Sequence, residues 1–135
     1  MFLGFLWLSI AAMAGPFLAT DLTERFINDA ASVSAWLPVL ARSAHGHLAL
    51  FGVVQILSGL TFPYSPFSLR LKKVQTAAIS CGAVAMGPLM LLRALGGVAP
   101  SYDVLGVVIG ALLSVAMLGL ISHAVGLALK LLQST

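Results

Sequence analysis

The stretch "ARSAHGHLALFGVVQILSGLTF", Ala41 to Phe62, carries two histidines at the head of a run that is long and apolar enough to cross a membrane. A membrane-spanning helix needs about 20 mostly apolar residues to cross roughly 30 Å of hydrocarbon. The chain contains four such runs, which are Met1 to Thr20, Ala44 to Phe62, Val74 to Leu92 and Val104 to Leu129. Because hydrocarbon offers backbone groups no hydrogen-bond partners, each run predicts a helix.

The composition of the whole chain indicates a membrane protein. Of its 135 residues, 60% are hydrophobic and only 8% are charged, and the mean hydropathy is +1.07. A soluble domain carries about 25% charged residues, so this chain cannot cover itself with a water-facing surface. Because short connections make successive helices antiparallel neighbours, we predict an all-α, integral-membrane, antiparallel four-helix bundle. It forms a single domain over residues 1–135.

The positions of the charged side chains predict the orientation of the bundle. The loop from Pro63 to Lys73 holds three basic residues and no acid, and Lys130 lies at the same end. By the positive-inside rule this end, with both termini, faces the cytoplasm of a bacterial-type inner (plasma) membrane. The acidic loop from Asp21 to Ser43 then faces outward. The net charge of +3 does not indicate nucleic-acid binding, because the basic residues are few and lie at helix ends.

The first run also resembles a secretory signal peptide, since "AAMAG" offers a small-residue cleavage site after Ala14. It lacks the basic segment that precedes such signals, and it is longer than their usual apolar stretch of about 7–15 residues. We therefore interpret it as the first helix. The loop that follows is expected to carry a short amphipathic helix with Leu22, Phe26 and Ile27 on one face. Pro38 is expected in the first turn of helix two.

Small residues recur along helices two, three and four, and they include Gly106 and Gly110 in a GxxxG pattern. Such residues let membrane helices approach closely, either within a bundle or between subunits. The dipeptide Gly87-Pro88 predicts a kink in helix three, which either opens a cavity or changes a packing angle. The lone Cys81 cannot form a disulfide within the chain and is interpreted as a packing residue.

The two histidines of helix two face different surroundings, because residues two apart on a helix point about 200° apart. They do not form a helical metal pair, which would need ligands at i and i+4. The face below His45 is small, with Ala49, Gly52 and Gly59, and leaves room for a flat macrocycle. Since haem iron commonly takes an imidazole as axial ligand, His45 is a candidate haem ligand. The alternative is that both histidines form hydrogen bonds at helix interfaces.

Four further polar residues are candidates for supporting roles. Arg42 and Arg93 flank the outer membrane face, where they either pair with haem propionates or extend to lipid headgroups. His123 lies late in helix four, at a depth too different from that of His45 to share one haem with it. It is expected to bond a carbonyl on a neighbouring helix or to serve a second site. Gln55 lies in the middle of helix two and requires a hydrogen-bond partner.

The segment "RSAHGHLALFG" resembles the second helix of haem–copper oxidase subunit I and of its small four-helix relatives. "LGLISHAVGLAL" is similar to the last helix of those relatives. The first segment also resembles the helix-two motif of the styrene oxide isomerases, which are four-helix, haem b membrane enzymes that assemble as trimers. The matching residues are Ala44, His45, Ala49, Leu50 and Gly52. The resemblance implies haem b bound through its iron to His45, in a homo-oligomer that is a trimer or a dimer.

The candidate haem site thus has His45 as the metal ligand, surrounded by His47, Ala49, Gly52, Gly59 and Arg42. Two departures from the isomerases bear on activity. Phe51 stands where they have an epoxide-pocket asparagine, and "AAISCGAVAMGPLMLL" offers no counterpart of their third-helix aspartate and tyrosine. Haem binding is therefore better supported than epoxide isomerisation, and no catalytic residue is assigned.

Functions of three classes are compatible with these features. The first is a b-type haem protein, in which five-coordinate iron acts as a Lewis acid on small apolar epoxides or six-coordinate iron transfers electrons. The alternative is a non-catalytic accessory subunit of a larger membrane complex, held by its small-residue faces. A small transporter is disfavoured, because such carriers usually need a membrane-embedded carboxylate and all four acids lie outside the apolar runs.

Overall fold

The computed structural model of the protein describes residues 1–97 and 103–133, and these residues form helices and connections without a strand. Four helical segments among them are long and apolar enough to cross a membrane, as predicted. The helices are α1 (Phe2–Asn28), α2 (Trp36–Thr61), α3 (Leu69–Val84), α4 (Met90–Leu95) and α5 (Val104–Leu132). A π-helical turn over Ala85–Leu89 joins α3 to α4, so that the two form one long segment.

The bundle consists of two antiparallel hairpins. α1 packs along α2 and α3 packs along α5, while α2 also contacts α3 and α4 and so joins the two pairs. The start of α1 meets the end of α2, since a Cβ built on Gly59 would lie 3.0 Å from the Met1 backbone nitrogen. The opposite end holds the end of α1 and the starts of α2 and α5, and we call it the acidic end. The acids found there are Asp21, Glu24, Asp29 and Asp103.

α1 extends beyond the predicted apolar run because its polar end is stabilised locally. Arg25 Nε donates to Asp21 Oδ2 at 2.8 Å, one helical turn away, and the Thr23 hydroxyl donates to the Ala19 carbonyl at 2.8 Å. Leu22, Phe26 and Ile27 therefore belong to α1, which ends at Asn28. The expectation of a separate amphipathic helix is wrong for these residues.

Glycines allow α1 to approach α2 closely. A Cβ on Gly4 would lie 2.6 Å from the Gly52 carbonyl oxygen, and one on Gly52 would lie 3.0 Å from the Leu8 backbone nitrogen. Both distances are too short for a side chain, so the two backbones are in direct contact, as small residues permit in membrane bundles. α3 and α5 approach in the same way at Gly119, where a Cβ would lie 2.8 Å from the Ala78 methyl.

The apolar core lies where α2, α3 and α5 meet. Its buried side chains include Leu48, Phe51, Ile79, Met86 and Ala116. Phe51 is 8% exposed and packs in this core. It therefore holds the two hairpins together rather than lining an open pocket.

Arg93 connects the starts of α2 and α5 at the acidic end. Its Nη2 lies 3.1 Å from Asp103 Oδ1, and its guanidinium carbon lies 5.5 Å from the centroid of the Trp36 ring. Asp103 is also the N-cap of α5, where Oδ1 accepts from the Gly106 N–H at 3.1 Å. Arg93 is thus engaged within the protein by an ion pair and a cation–π contact.

We expect Asp103→Ala to lower the free energy of unfolding by about 1–2 kcal/mol, because α5 loses its N-cap and Arg93 loses its partner. Asp103→Asn is the matched control, since it keeps an N-cap oxygen without the charge and should lose roughly half as much. Unfolding in SDS, followed by circular dichroism, measures both. Equal losses would show that the ion pair, and not the cap, stabilises this end.

Candidate functional site

A cavity of about 480 Å³ lies between α1, α2 and the turn that joins α3 to α4. Its walls are apolar, and within residues 1–97 and 103–133 His45 is the one ionisable side chain that lines it. The lining residues are Trp7, Ile10, Ala11, Ala14, Phe17, Leu18, Ala41, Ala44, His45, Leu48, Gly87, Pro88 and Leu91. Since a helix rises 1.5 Å per residue, the α1 wall from Trp7 to Leu18 is roughly 16 Å long. The cavity is therefore elongated along α1.

The imidazole of His45 has no hydrogen-bond partner within the described residues, and its Nδ1 is fully buried. Its other edge faces Gly15 on α1, where a Cβ would lie 3.5 Å from Cε1 and 3.9 Å from Nε2. A buried polar group left without a partner costs about 1–3 kcal/mol. That cost falls on Nδ1, whereas Nε2 on the other edge is the ring nitrogen that a ligand could bind.

Trp7 provides a second unpartnered group in the same cavity. Its indole Nε1 is buried and has no hydrogen-bond partner within the part of the chain that the structure describes. Sequence reasoning did not assign a role to Trp7, because a tryptophan in an apolar run is most simply a packing residue. Its position on the same face as Ala11 and Leu18, about one and three turns further along α1, was the available signal.

The cavity opens sideways, between α1 and α4. Ile10 and Leu91 at its margin are 42% and 43% exposed, and Phe17 is 79% exposed. These side chains belong to the apolar outer surface of the bundle and not to a polar loop. The route into the cavity is therefore apolar.

The π-helical turn shapes the α3–α4 wall. Pro88 lies inside this turn and has no N–H to donate, and its ring would clash with the carbonyl four residues earlier in a regular helix. The helix widens over Ala85–Leu89 instead, and turns of this kind are frequent at functional sites. Gly87 and Pro88 both line the cavity. Of the two outcomes left open for the predicted kink, the structure shows the cavity.

The other residues assigned to the haem site do not line this cavity. α1 fills the space beside Gly52 and Gly59, which corrects the expectation that a porphyrin lies against them. Ala49 packs against the apolar core. Arg42 is exposed and donates to the carbonyl oxygens of Pro38 at 3.3 Å and Val33 at 3.0 Å.

His47 lies on the outer face of α2, away from the cavity, and is exposed. Its Nδ1 lies 2.8 Å from the Ser43 carbonyl oxygen, one turn earlier on the same helix. The structure therefore separates the two histidines as the helical spacing predicts. His47 is not placed to touch a ligand that His45 holds.

His123 lies on α5 near the other end of the bundle and is 7% exposed. Its Nε2 lies 2.7 Å from the Thr61 hydroxyl oxygen, and its ring meets Phe62 edge to face at 4.9 Å between centroids. The partner is thus a hydroxyl at the end of α2 rather than the expected carbonyl. His123 therefore links α5 to the end of α2 by a hydrogen bond, and it does not approach His45.

Two glutamines form buried polar contacts across the helices. Gln55 Nε2 donates to Ser80 Oγ, which confirms that Gln55 has a partner, and Gln75 Nε2 donates to Ser122 Oγ at 2.7 Å. The side-chain carbonyl oxygens of both glutamines are buried and unpartnered within the described residues. These contacts tie α3 to α2 and to α5, and they do not reach the cavity.

Within residues 1–97 and 103–133, no group of three or more histidine, cysteine, aspartate or glutamate side chains is placed to hold a metal ion. No protein-family model, curated protein or solved structure matches the chain. The functional interpretation therefore depends on the His45 cavity and on the resemblance of the segment around His45.

Proposed function

We propose that the protein is an integral membrane protein that binds haem b in the cavity between α1, α2 and α4, with Nε2 of His45 as the axial iron ligand. The observation that carries the proposal is an imidazole without a hydrogen-bond partner in the wall of an apolar cavity. A neutral imidazole is the commonest metal ligand among side chains. The resemblance of the surrounding segment to haem-binding helices supports haem b as the cofactor.

Membrane insertion is supported by the lengths and hydropathies of the four segments and by the apolar surface of the bundle. The acids gather at one end, and Arg70, Lys72, Lys73 and Lys130 lie at the other. The positive-inside rule then places the basic end and both termini in the cytoplasm. In a bacterial-type inner membrane, His45 would lie in the half of the bundle nearer the outside.

The residues around the cavity fit the haem ring better than its propionates. Apolar walls suit the macrocycle, and Gly15 presents no side chain to the imidazole edge, where a Cβ would lie 3.5 Å from Cε1. Neither Arg42 nor Arg93 lines the cavity, so its lining offers the propionates no cation. The propionates would therefore have to leave the cavity on the side of Leu18, where α1 becomes polar from Thr20 onward.

The lining residues bear on the chemistry. Among the described residues that line the cavity there is no second histidine and no methionine or cysteine, so this lining offers one side chain that can bind iron. Haem held by this side chain would supply a Lewis acid able to polarise the C–O bond of an epoxide without net redox. This supports isomerisation of small apolar epoxides over electron transfer. The chain's own contribution is to hold the imidazole, exclude water and admit apolar molecules through the lateral opening.

The visible spectrum of the protein, purified in detergent with and without added haem, tests the proposal. We expect a Soret band that saturates at about one haem per chain. Carbon monoxide should shift the band of the reduced protein, because one coordination position is open. A protein without a Soret band, even after haem is supplied, would overturn the proposal.

A further inference from the structure

His47 is fixed in one tautomer by its own helix. The Ser43 carbonyl oxygen, which can only accept, lies 2.8 Å from His47 Nδ1, closer than the Ser43 hydroxyl oxygen at 3.3 Å, so in the neutral ring Nδ1 carries the proton. Nε2 is then the unprotonated nitrogen, with its lone pair free to accept. No hydrogen bond to Nε2 is present within the described residues.

This lone pair points out from a segment that is long and apolar enough to cross a membrane. His47 and its neighbour Gly46 are both exposed, and a Cβ on Gly46 would have no neighbour within 4 Å. Leu50, one turn further along α2, is 55% exposed. A polar group on such a surface is costly in lipid unless a partner covers it, so this face of α2 requires a hydrogen-bond donor from outside the chain.

α5 exposes a matching face at the same depth. Gly110 is open, with no neighbour within 4 Å of a built Cβ, and Ser114 is exposed one turn further along. The starts of α2 and α5 are held level by Arg93, which contacts both Trp36 and Asp103. From those starts His47 and Ser114 lie about equally far along their helices, within roughly one residue rise of 1.5 Å.

We infer that the α2 face around Gly46 and His47 docks on the α5 face around Gly110 and Ser114 of a second copy of this chain. The Ser114 hydroxyl, which donates to the Gly110 carbonyl at 3.0 Å within the single chain, turns to donate to His47 Nε2 of the neighbouring copy. The open glycines let the two helices approach closely. Because two different surfaces meet, the contact is head to tail, and a closed ring is the assembly that leaves neither face uncovered.

Disulfide crosslinking in native membranes tests this contact. In a Cys81→Ala background, the double variant His47→Cys with Ser114→Cys should form disulfide-linked multimers up to the size of the ring. Ser114→Cys paired with Phe17→Cys is the matched control, because Phe17 is exposed at a similar depth on another face, and it should remain monomeric. The two single variants at His47 and Ser114 should also remain monomeric.

Three outcomes would overturn the inference. Dimers of the single His47→Cys variant would show that α2 meets α2. Crosslinks solely to a different protein would make the chain a subunit of a mixed complex. A double variant that stays monomeric in the membrane would leave no contact at these faces.

The strength of the contact can be measured separately from haem binding. His47→Ala should weaken self-association in detergent by about threefold to tenfold, the range expected for one hydrogen bond between membrane helices. His47→Gln, which keeps an acceptor oxygen, should recover part of the loss. Unchanged association in both variants would contradict the inference. The Soret band of His47→Ala reports independently on the haem proposal.

Discussion

His45→Ala abolishes the Soret band of the purified protein, and this is the largest effect that we expect of any single substitution. Among the described residues that line the cavity, the His45 imidazole is the one side chain that can bind iron. Loss of a partner that merely orients a metal ligand costs about 10–100-fold in affinity, so loss of the ligand itself should exceed 100-fold. Haem titration monitored by absorbance measures the change.

The other two histidines provide the controls. His47 lies outside the cavity and His123 is bonded to Thr61 near the other end of the bundle. His47→Ala and His123→Ala should keep their bands, with affinities within about threefold of the parent protein. His123→Ala should instead lower stability by about 1 kcal/mol, because a buried hydrogen bond is lost. A band that survives in His45→Ala but disappears in His123→Ala would refute the assignment of the ligand.

Gly15→Leu blocks the space beside the His45 imidazole and is expected to lower haem affinity by more than tenfold. A Cβ at this position would already lie 3.5 Å from Cε1, so the branched end of leucine must enter the space where a ligand approaches Nε2. The higher helix propensity of leucine, by about 0.8 kcal/mol over glycine, offsets part of the cost that any Cβ carries in the position before Pro16. Haem titration, with circular dichroism on the same sample, separates loss of binding from loss of folding.

Gly15→Ala is the matched control for this substitution. Its Cβ would be in ordinary van der Waals contact with the imidazole and would leave the space beyond it open. Residue 15 also precedes Pro16, whose ring disfavours helical geometry for any preceding residue with a Cβ, and alanine carries this cost without the bulk. The alanine variant should keep its affinity within about threefold. Equal affinities for the leucine and alanine variants would show that ligands do not approach His45 from the α1 side.

Much of the fold could be predicted from the sequence, because uninterrupted apolar runs of membrane length have few alternatives to helices. The start of α5 at Val104 and the place of Pro38 in the first turn of α2 agree with the structure. The end of α1 was placed too early, because the predicted run stopped at the first charge. The Asp21–Arg25 pair, one turn apart, continues the helix instead.

The structure places His45 in the wall of a cavity but packs α1 against the small residues that the sequence set beside it. The sequence singled out His45, but it assigned the ligand to the side of Gly52 and Gly59. A row of small residues shows that something approaches closely, and it does not show whether that is a cofactor or a helix. At Gly52 the neighbour is a helix, because Gly4 has no side chain and the α1 backbone therefore packs directly against α2.

The prolines on the two sides of the cavity affect how a large ligand can enter it. α1 contains Pro16 and the α3–α4 wall contains Pro88, so both flanking helices lack a main-chain hydrogen bond near the lateral opening. The start of α1 packs directly on α2 at Gly4 and Gly52, whereas at Gly15 a Cβ would be in ordinary van der Waals contact with His45. We therefore expect α1 to bend outward at Pro16. This motion would widen the lateral opening of the cavity, while the start of α1 stays packed on α2.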